Sequence, residues 1–381
     1  MSASDEAPAP LREARALHVE IAARGDEIES GRRLPPELAK KFAAAGLFSI
    51  CVPKQYGGGE LSAADAVRVI EEVARADGAA GWVVMIGATT GMLAASLSDA
   101  WASEIYGRNP QVITGGVTAP TGVATAGEGG HHVTGRWSFG SGCQHSDWLV
   151  GGTRMGAADA PEVRLMFFAP EQFRIHDTWH ASGLRGTGSH DFEVEDAFVP
   201  DGRSVVLGGH PRVSGALYQF PTLGLLALGV CAVALGIARR ALDEFVTLAG
   251  GKIPTGSART LANRPVVQRQ VGEAEAALRS ARAYVYASIG EAWAIASQGR
   301  SLPIEQRAEL RLAAANAAWR AAQAVDLVYH AGGGTAVYAA SPLQRCFRDV
   351  HVATQHIMVA QPLFEIFGRS ALGLPVEKGT V

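Results

Sequence analysis

The chain of 381 residues is 48% hydrophobic and 19% charged with 45 glycines, a globular composition with room for two or three packed subdomains of roughly 100–200 residues each. A formal net charge of −3 and scattered Lys and Arg leave no basic face, which argues against a nucleic-acid partner. Four cysteines, Cys51, Cys143, Cys231 and Cys346, stand far apart with no CxxC or Cys/His ligand spacing, so neither a metal nor a disulfide framework is expected and a reducing cytoplasm is the expected location.

The acidic, Pro/Ala-rich opening MSASDEAPAP lacks the basic and apolar regions of a signal peptide and reads as a frayed tail. From Leu11 to about Tyr106, Ala, Leu, Glu and Arg recur at helical spacing. Pro35–Pro36 opens one helix and Ala44–Ala45–Gly46 closes it; Ser62 is placed to cap a helix over Ala63 to Arg75, and Gly81 to open the apolar helix GWVVMIGATTGM. Between Val112 and about Val206 the runs HHVTGRWSF, DWLVGGTRM, EVRLMFFAP and HDFEVEDAFVP predict strands of a small antiparallel sheet or barrel. Helical spacing returns over Pro221 to Ala249, Pro265 to Ser297, Pro303 to Tyr329 and Leu343 to about Phe367, four helices suited to a bundle, with proline near each start. Val213 to Ala238 is 26 residues without a charge, long enough to span a bilayer. Gln219, Pro221 and four glycines inside it favour a central helix buried on all sides instead, so no membrane partner is expected. The predicted fold is mainly α with a central β domain: helical at 1–111, β at 112–206, and a helical bundle at 207–381.

Several motifs are missing. There is no GxGxxG after a strand, no GxxxxGK[ST], no HExxH and no GxSxG on a strand-to-helix turn, so a built-in nicotinamide site is not expected. HAGGG at 330–334 follows a helix, and taken alone it is a helix C-terminus. GRWSFGSGCQHSDW at 135–148 has two readings. It is either a half-buried strand with one aromatic face, or a wall for a planar ring, with aromatic side chains over the ring and hydroxyls and amides at its polar edge.

An ordered set of segments carries a resemblance: Trp137–Gly142 (WSFGSG), Gly183–Ser189 (GLRGTGS), Phe198–Pro200 (FVP) and Arg345–His356 (RCFRDVHVATQH). Together they resemble the acyl-CoA dehydrogenase fold, and within it the two-component flavin-dependent monooxygenases that hydroxylate aromatic substrates, over about Leu34 to Arg369. The resemblance implies an N-terminal helical domain, a small β domain and a C-terminal four-helix bundle. Dehydrogenases of this fold need a carboxylate base on one of two helices, yet Gly202 to Leu242 and Val350 to Phe364 contain no Asp or Glu. Abstraction of an acyl-thioester proton is therefore poorly supported.

By the same resemblance, His356 takes the place of that base, and Ser141 supplies a hydrogen bond near flavin N5. His351, five residues earlier and roughly 140° round a helix, is read as structural. Trp137, Phe139, Ser141 and Gly142 are implied as cofactor contacts. Arg259 and Gln268 resemble groups that reach a flavin phosphate across a subunit interface, and Gly332, Gly333 and Gly334 a turn that meets the nucleotide of a neighbouring subunit. Trp82 and Thr90 are expected substrate contacts; His145 and Ser146 could orient the substrate, with a turn between strands as the other explanation. The helix beginning GW lacks the second histidine of some phenol hydroxylases; Thr89 or Thr90 stands in its place.

The expected protein is an oxygenase component that takes FMNH2 or FADH2 from a separate NAD(P)H-dependent reductase. It would use O2 through a C4a-hydroperoxyflavin to hydroxylate a phenolic or polyketide-like substrate, as a homotetramer. An N- or S-oxygenating enzyme of the same fold, an acyl-CoA dehydrogenase-like flavoenzyme, and a scaffold without flavin are the alternatives.

Overall fold

The computed structural model describes residues 7–156 and 162–376. Six helices open the chain: α1 (Ala9–Ala23), α2 (Gly25–Gly31), α3 (Pro36–Ala44), α4 (Ala63–Ala76), α5 (Gly78–Gly91) and α6 (Asp99–Ala102). Ser62 caps α4, its Oγ accepting the Asp65 N–H at 3.1 Å. One start differs from expectation: α5 begins at Gly78 rather than Gly81, because Asp77 accepts the Ala80 N–H at 3.0 Å and so satisfies an otherwise orphaned donor.

The β domain comprises β1 (Thr114–Gly127), β2 (Gly130–Gly140), β3 (Trp148–Met155), β4 (Glu162–Phe168), β5 (Arg174–His176), β6 (His190–Pro200) and β7 (Ser204–Val206). They form one seven-stranded sheet in the order β5-β6-β2-β1-β3-β4-β7. This corrects the expectation of an antiparallel sheet: β1 and β3 run parallel, although every other pair is antiparallel. The cause is β1 itself, which sits between β2 and β3 and was not among the expected strands. Its sequence, TGGVTAPTGVATAG, has β-branched Thr and Val but no aromatic residue, and four glycines and Pro120 break the run as turn signals would.

The C-terminal part consists of α7 (Ala216–Gln219), α8 (Thr222–Gly251), α9 (Pro265–Ala296), α10 (Ile304–Gly332), α11 (Pro342–Thr354) and α12 (Pro362–Ala371). α8 is the central helix, packed against α4, α5, α10 and α11. It approaches α4 so closely that a Cβ on Gly236 would lie 2.5 Å from the Glu71 carbonyl oxygen. By length and composition, Gly78–Ala95 and Thr222–Gly251 could each cross a membrane, but 94% and 78% of their most apolar windows are buried inside the fold.

The last expected helix, Leu343 to about Phe367, is two helices. Pro362 has no N–H to give the carbonyl one turn back, and its ring would clash with that carbonyl, so α11 cannot run on through it. The chain leaves α11 in three-residue turns, with His356 N–H on Ala353 O and Val359 N–H on His356 O, and restarts with Pro362 in the first turn of α12. His356 therefore lies in a break between helices.

Candidate active site

The break at 355–358 closes a cavity of about 570 Å³ whose other walls are α5, the first turns of α8 and the face formed by β1 and β2. That volume lies in the usual range for a small-molecule site. Trp82, Ile86, Thr89 and Thr90 come from one side of α5, and Leu226 and Met358 add apolar wall. Among the described residues no Asp or Glu lines it.

The β wall is shaped by two irregularities. In β1 the pairing with β3 jumps from Val117↔Gly151 to Gly122↔Thr153, which leaves Thr118 to Thr121 bulged opposite the single Gly152. Thr118, Ala119 and Thr121 of that bulge line the cavity. In β2, alternation sends Arg136 and Ser138 to the cavity and Trp137 to the opposite face. The expectation that Trp137 walls the cofactor is thereby corrected. Trp137 is buried in the β-domain core, stacked on Phe192 with ring centroids 5.0 Å apart and its Nε1–H on Gly152 O at 2.8 Å. Phe139 would follow Trp137 inward, but it has φ +66 and the ladder slips between Trp137 and Gly140. It therefore turns out to the cavity, edge-on to Trp179 with centroids 6.2 Å apart.

At the polar end stands a chain of hydroxyls. Trp82 Nε1–H donates to Ser141 Oγ at 3.1 Å. Ser141 Oγ lies 2.7 Å from Ser189 Oγ, which lies 2.6 Å from Thr187 Oγ1, and Thr187 donates to Leu184 O at 2.8 Å. Ser141, Thr187, Ser189 and Leu184 all line the cavity. Leu184 has φ +48, costly for a branched side chain, and is pinned from both sides. Its N–H donates to buried Asp349 at 2.6 Å, and its carbonyl also accepts from Trp179 Nε1 at 3.2 Å. Burial, and then the neighbouring Asp77, push the Asp349 carboxyl up to about 7.

His356 faces the same cavity, edge-on to Trp82 with ring centroids 5.4 Å apart. Its Nδ1 accepts the Met358 N–H at 3.2 Å, so in the neutral ring the proton sits on Nε2. Burial, and then the Arg311 guanidinium, lower its pKa to about 4. The imidazole is thus neutral at pH 7 and offers an N–H donor. The Nδ1 lone pair is engaged by the backbone, so any base expected at this residue would have to give up that bond first. His351, by contrast, bonds Asp326 at 2.8 Å and packs on Phe347, outside the cavity lining.

Trp82 and Thr90, expected at the substrate, line the cavity; His145, Ser146 and Gly142 do not. Ser146 Oγ bonds Gly142 O at 3.1 Å, and burial, with Arg33 second, lowers the His145 pKa to about 4. Gly142 (φ +71) donates its N–H to Thr187 O at 2.8 Å and so braces the hydroxyl chain from behind. Arg259, Gln268, Gly333 and Gly334 are exposed at one end of the bundle, away from the cavity. Gly332 is buried against Leu343 and Ala336, and its carbonyl accepts from Lys252 Nζ at 2.7 Å, which ties the turn to the segment leading to Arg259.

A model described as the acyl-CoA dehydrogenase N-terminal domain matches residues 10–104, and one described as its C-terminal domain matches 228–361. An indole-3-acetate monooxygenase of Pseudomonas putida is 37% identical over 97% of this chain and 95% of its own. HsaA of Rhodococcus jostii, a flavin-dependent monooxygenase oxygenase subunit, is 28% identical over 93% of this chain and 95% of its own. Among solved structures, XiaF from Streptomyces sp. in complex with FADH2 and glycerol superposes with a TM-score of 0.90 at 25% identity, covering 96% of this chain and 95% of that one. The chain belongs to the acyl-CoA dehydrogenase family. Within it, the protein is the oxygenase component of a flavin-dependent monooxygenase.

Proposed function

We propose that the protein inserts one oxygen atom from O2 into an electron-rich aromatic ring, using FMNH2 or FADH2 delivered by a separate NAD(P)H-dependent reductase in the cytoplasm. The observation that carries this reading is the lining of the cavity: aromatic and apolar walls, no carboxylate, and one neutral imidazole aimed inward. Those walls suit a planar ring stacked against a second aromatic ring, with polar groups at a few places: Ser141 with its partners, His356, Arg136 and Ser138 on β2, and threonines of α5 and the β1 bulge. The β1 bulge, Ser138 and Phe139 would hold the flavin ring, with Ser141 at its polar edge. When bound, the reduced flavin supplies the electrons that activate oxygen. The chain's own contribution is to exclude water, orient the aromatic substrate and donate a hydrogen bond from His356 Nε2 to an oxygen held there.

Indole-3-acetate, the compound in the name of the relative from Pseudomonas putida, is the first substrate to test, with resorcinol as a phenolic comparison. With a flavin reductase, NAD(P)H and either flavin, the product should gain one atom of ¹⁸O from labelled O2. Without the reductase there should be no turnover. Catalytic NAD(P)H oxidation by this chain alone, or flavin reduction by an acyl-CoA, would refute the reading.

A further inference from the structure

The hydroxyl chain beside the cavity has a fixed polarity that follows from counting protons. Three oxygen–oxygen contacts link Ser141 to Ser189, Ser189 to Thr187 and Thr187 to the Leu184 carbonyl, at 2.7, 2.6 and 2.8 Å. Each needs one hydrogen between its oxygens, since two bare oxygens that close repel. Three hydroxyls supply three protons, and the carbonyl supplies none. Thr187 must therefore donate to Leu184, Ser189 to Thr187, and Ser141 to Ser189. Trp82, which can only donate, occupies one lone pair of Ser141. Toward the cavity Ser141 has only its other lone pair to offer. It is an acceptor there.

A flavin changes hydrogen-bonding character at the central ring nitrogen N5 when it is reduced: oxidised, the nitrogen is a bare acceptor, and reduced, it carries a hydrogen. We propose that Thr187 and Ser189, through the polarity they impose on Ser141, make the cavity select reduced over oxidised flavin. The inference rests on the reading that the polar edge of the flavin lies against Ser141. A reduced ring then gains a hydrogen bond, and an oxidised ring meets a lone pair with a lone pair. Thr187 and Ser189 are positioning residues, acting on the ligand through Ser141.

The test compares dissociation constants for oxidised FMN and FAD with those for the same flavins reduced under anaerobic conditions, in the intact protein. Thr187→Val removes the acceptor of Ser189, whose proton turns back to Ser141 and frees the Ser141 proton for the cavity. Oxidised flavin should bind about three- to tenfold tighter, the worth of one ordinary hydrogen bond, while reduced flavin, whose N5–H loses its acceptor, should bind more weakly. Ser189→Ala should act in the same direction, and Thr187→Ser should keep the wild-type ratio. The midpoint potential of the bound flavin gives a second readout, falling by about 30 mV for each tenfold loss of selectivity. If Ser141→Ala changes either affinity but Thr187→Val and Ser189→Ala leave the ratio unchanged or raise it, the imposed polarity is wrong. If Ser141→Ala leaves both affinities alone, the placement of the flavin against Ser141 is wrong.

Discussion

At His356 a single backbone N–H decides the chemistry. With Met358 N–H on Nδ1 and a pKa lowered to about 4 by burial and then Arg311, the ring keeps one proton, on Nε2, across the neutral range. The pH dependence of kcat/KM should therefore show no inflection from this residue between about pH 5.5 and 8. His356→Gln, which can also present an N–H, should retain most of the turnover that His356→Ala loses, a loss on the order of 10²-fold for one donor in an active site. Equal losses in the two variants would return the residue to the role of base. The sequence made His356 and Ser141 visible as residue types in a family pattern. It did not show which nitrogen of the ring is free, because that depends on a turn formed two residues later. Trp137 misled for a related reason: alternation along β2 is readable, but the left-handed Phe139 that changes its phase is not.

The long helices were legible as elements because their apolar spacing and prolines are local signals, and the structure keeps their expected spans within a few residues. The two misses were a strand interrupted by four glycines and a proline and a helix break announced only by Pro362. Both became wall of the cavity, since irregular backbone turns side chains away from the core. Close helix contact was also hidden in the sequence, where Gly236 is one glycine among 45. A methyl group there would press on the backbone of α4, which cannot rotate away. Gly236→Ala should therefore destabilise the protein by about 1–3 kcal/mol through overpacking, read as a lower urea midpoint at unchanged slope. A midpoint equal to wild type would mean that α4 and α8 can separate without cost.

For the whole molecule, the end of the bundle that carries Arg259, Gln268 and the glycine turn also exposes Ile253, Val266, Val337 and Tyr338. Apolar side chains around a polar turn suit an interface between copies of the chain, the face that the expected homotetramer would use to share flavin contacts. Light scattering at micromolar concentration should give four times the chain mass, and Arg259→Ala should weaken flavin binding in the assembled protein. A monomer that binds flavin normally would remove the shared-site role of these residues. The cavity wall has a further consequence for synthesis. Its residues run from Trp82 to Met358, so most of the chain must be made before the last wall at 355–358 can close. A nascent chain elongating at roughly 5–20 residues per second can fold its N-terminal helices and its sheet early, yet it has no enclosed place for a reduced flavin until the end. A chain that stops short of Met358 would thus lack the wall that encloses the proposed cofactor site.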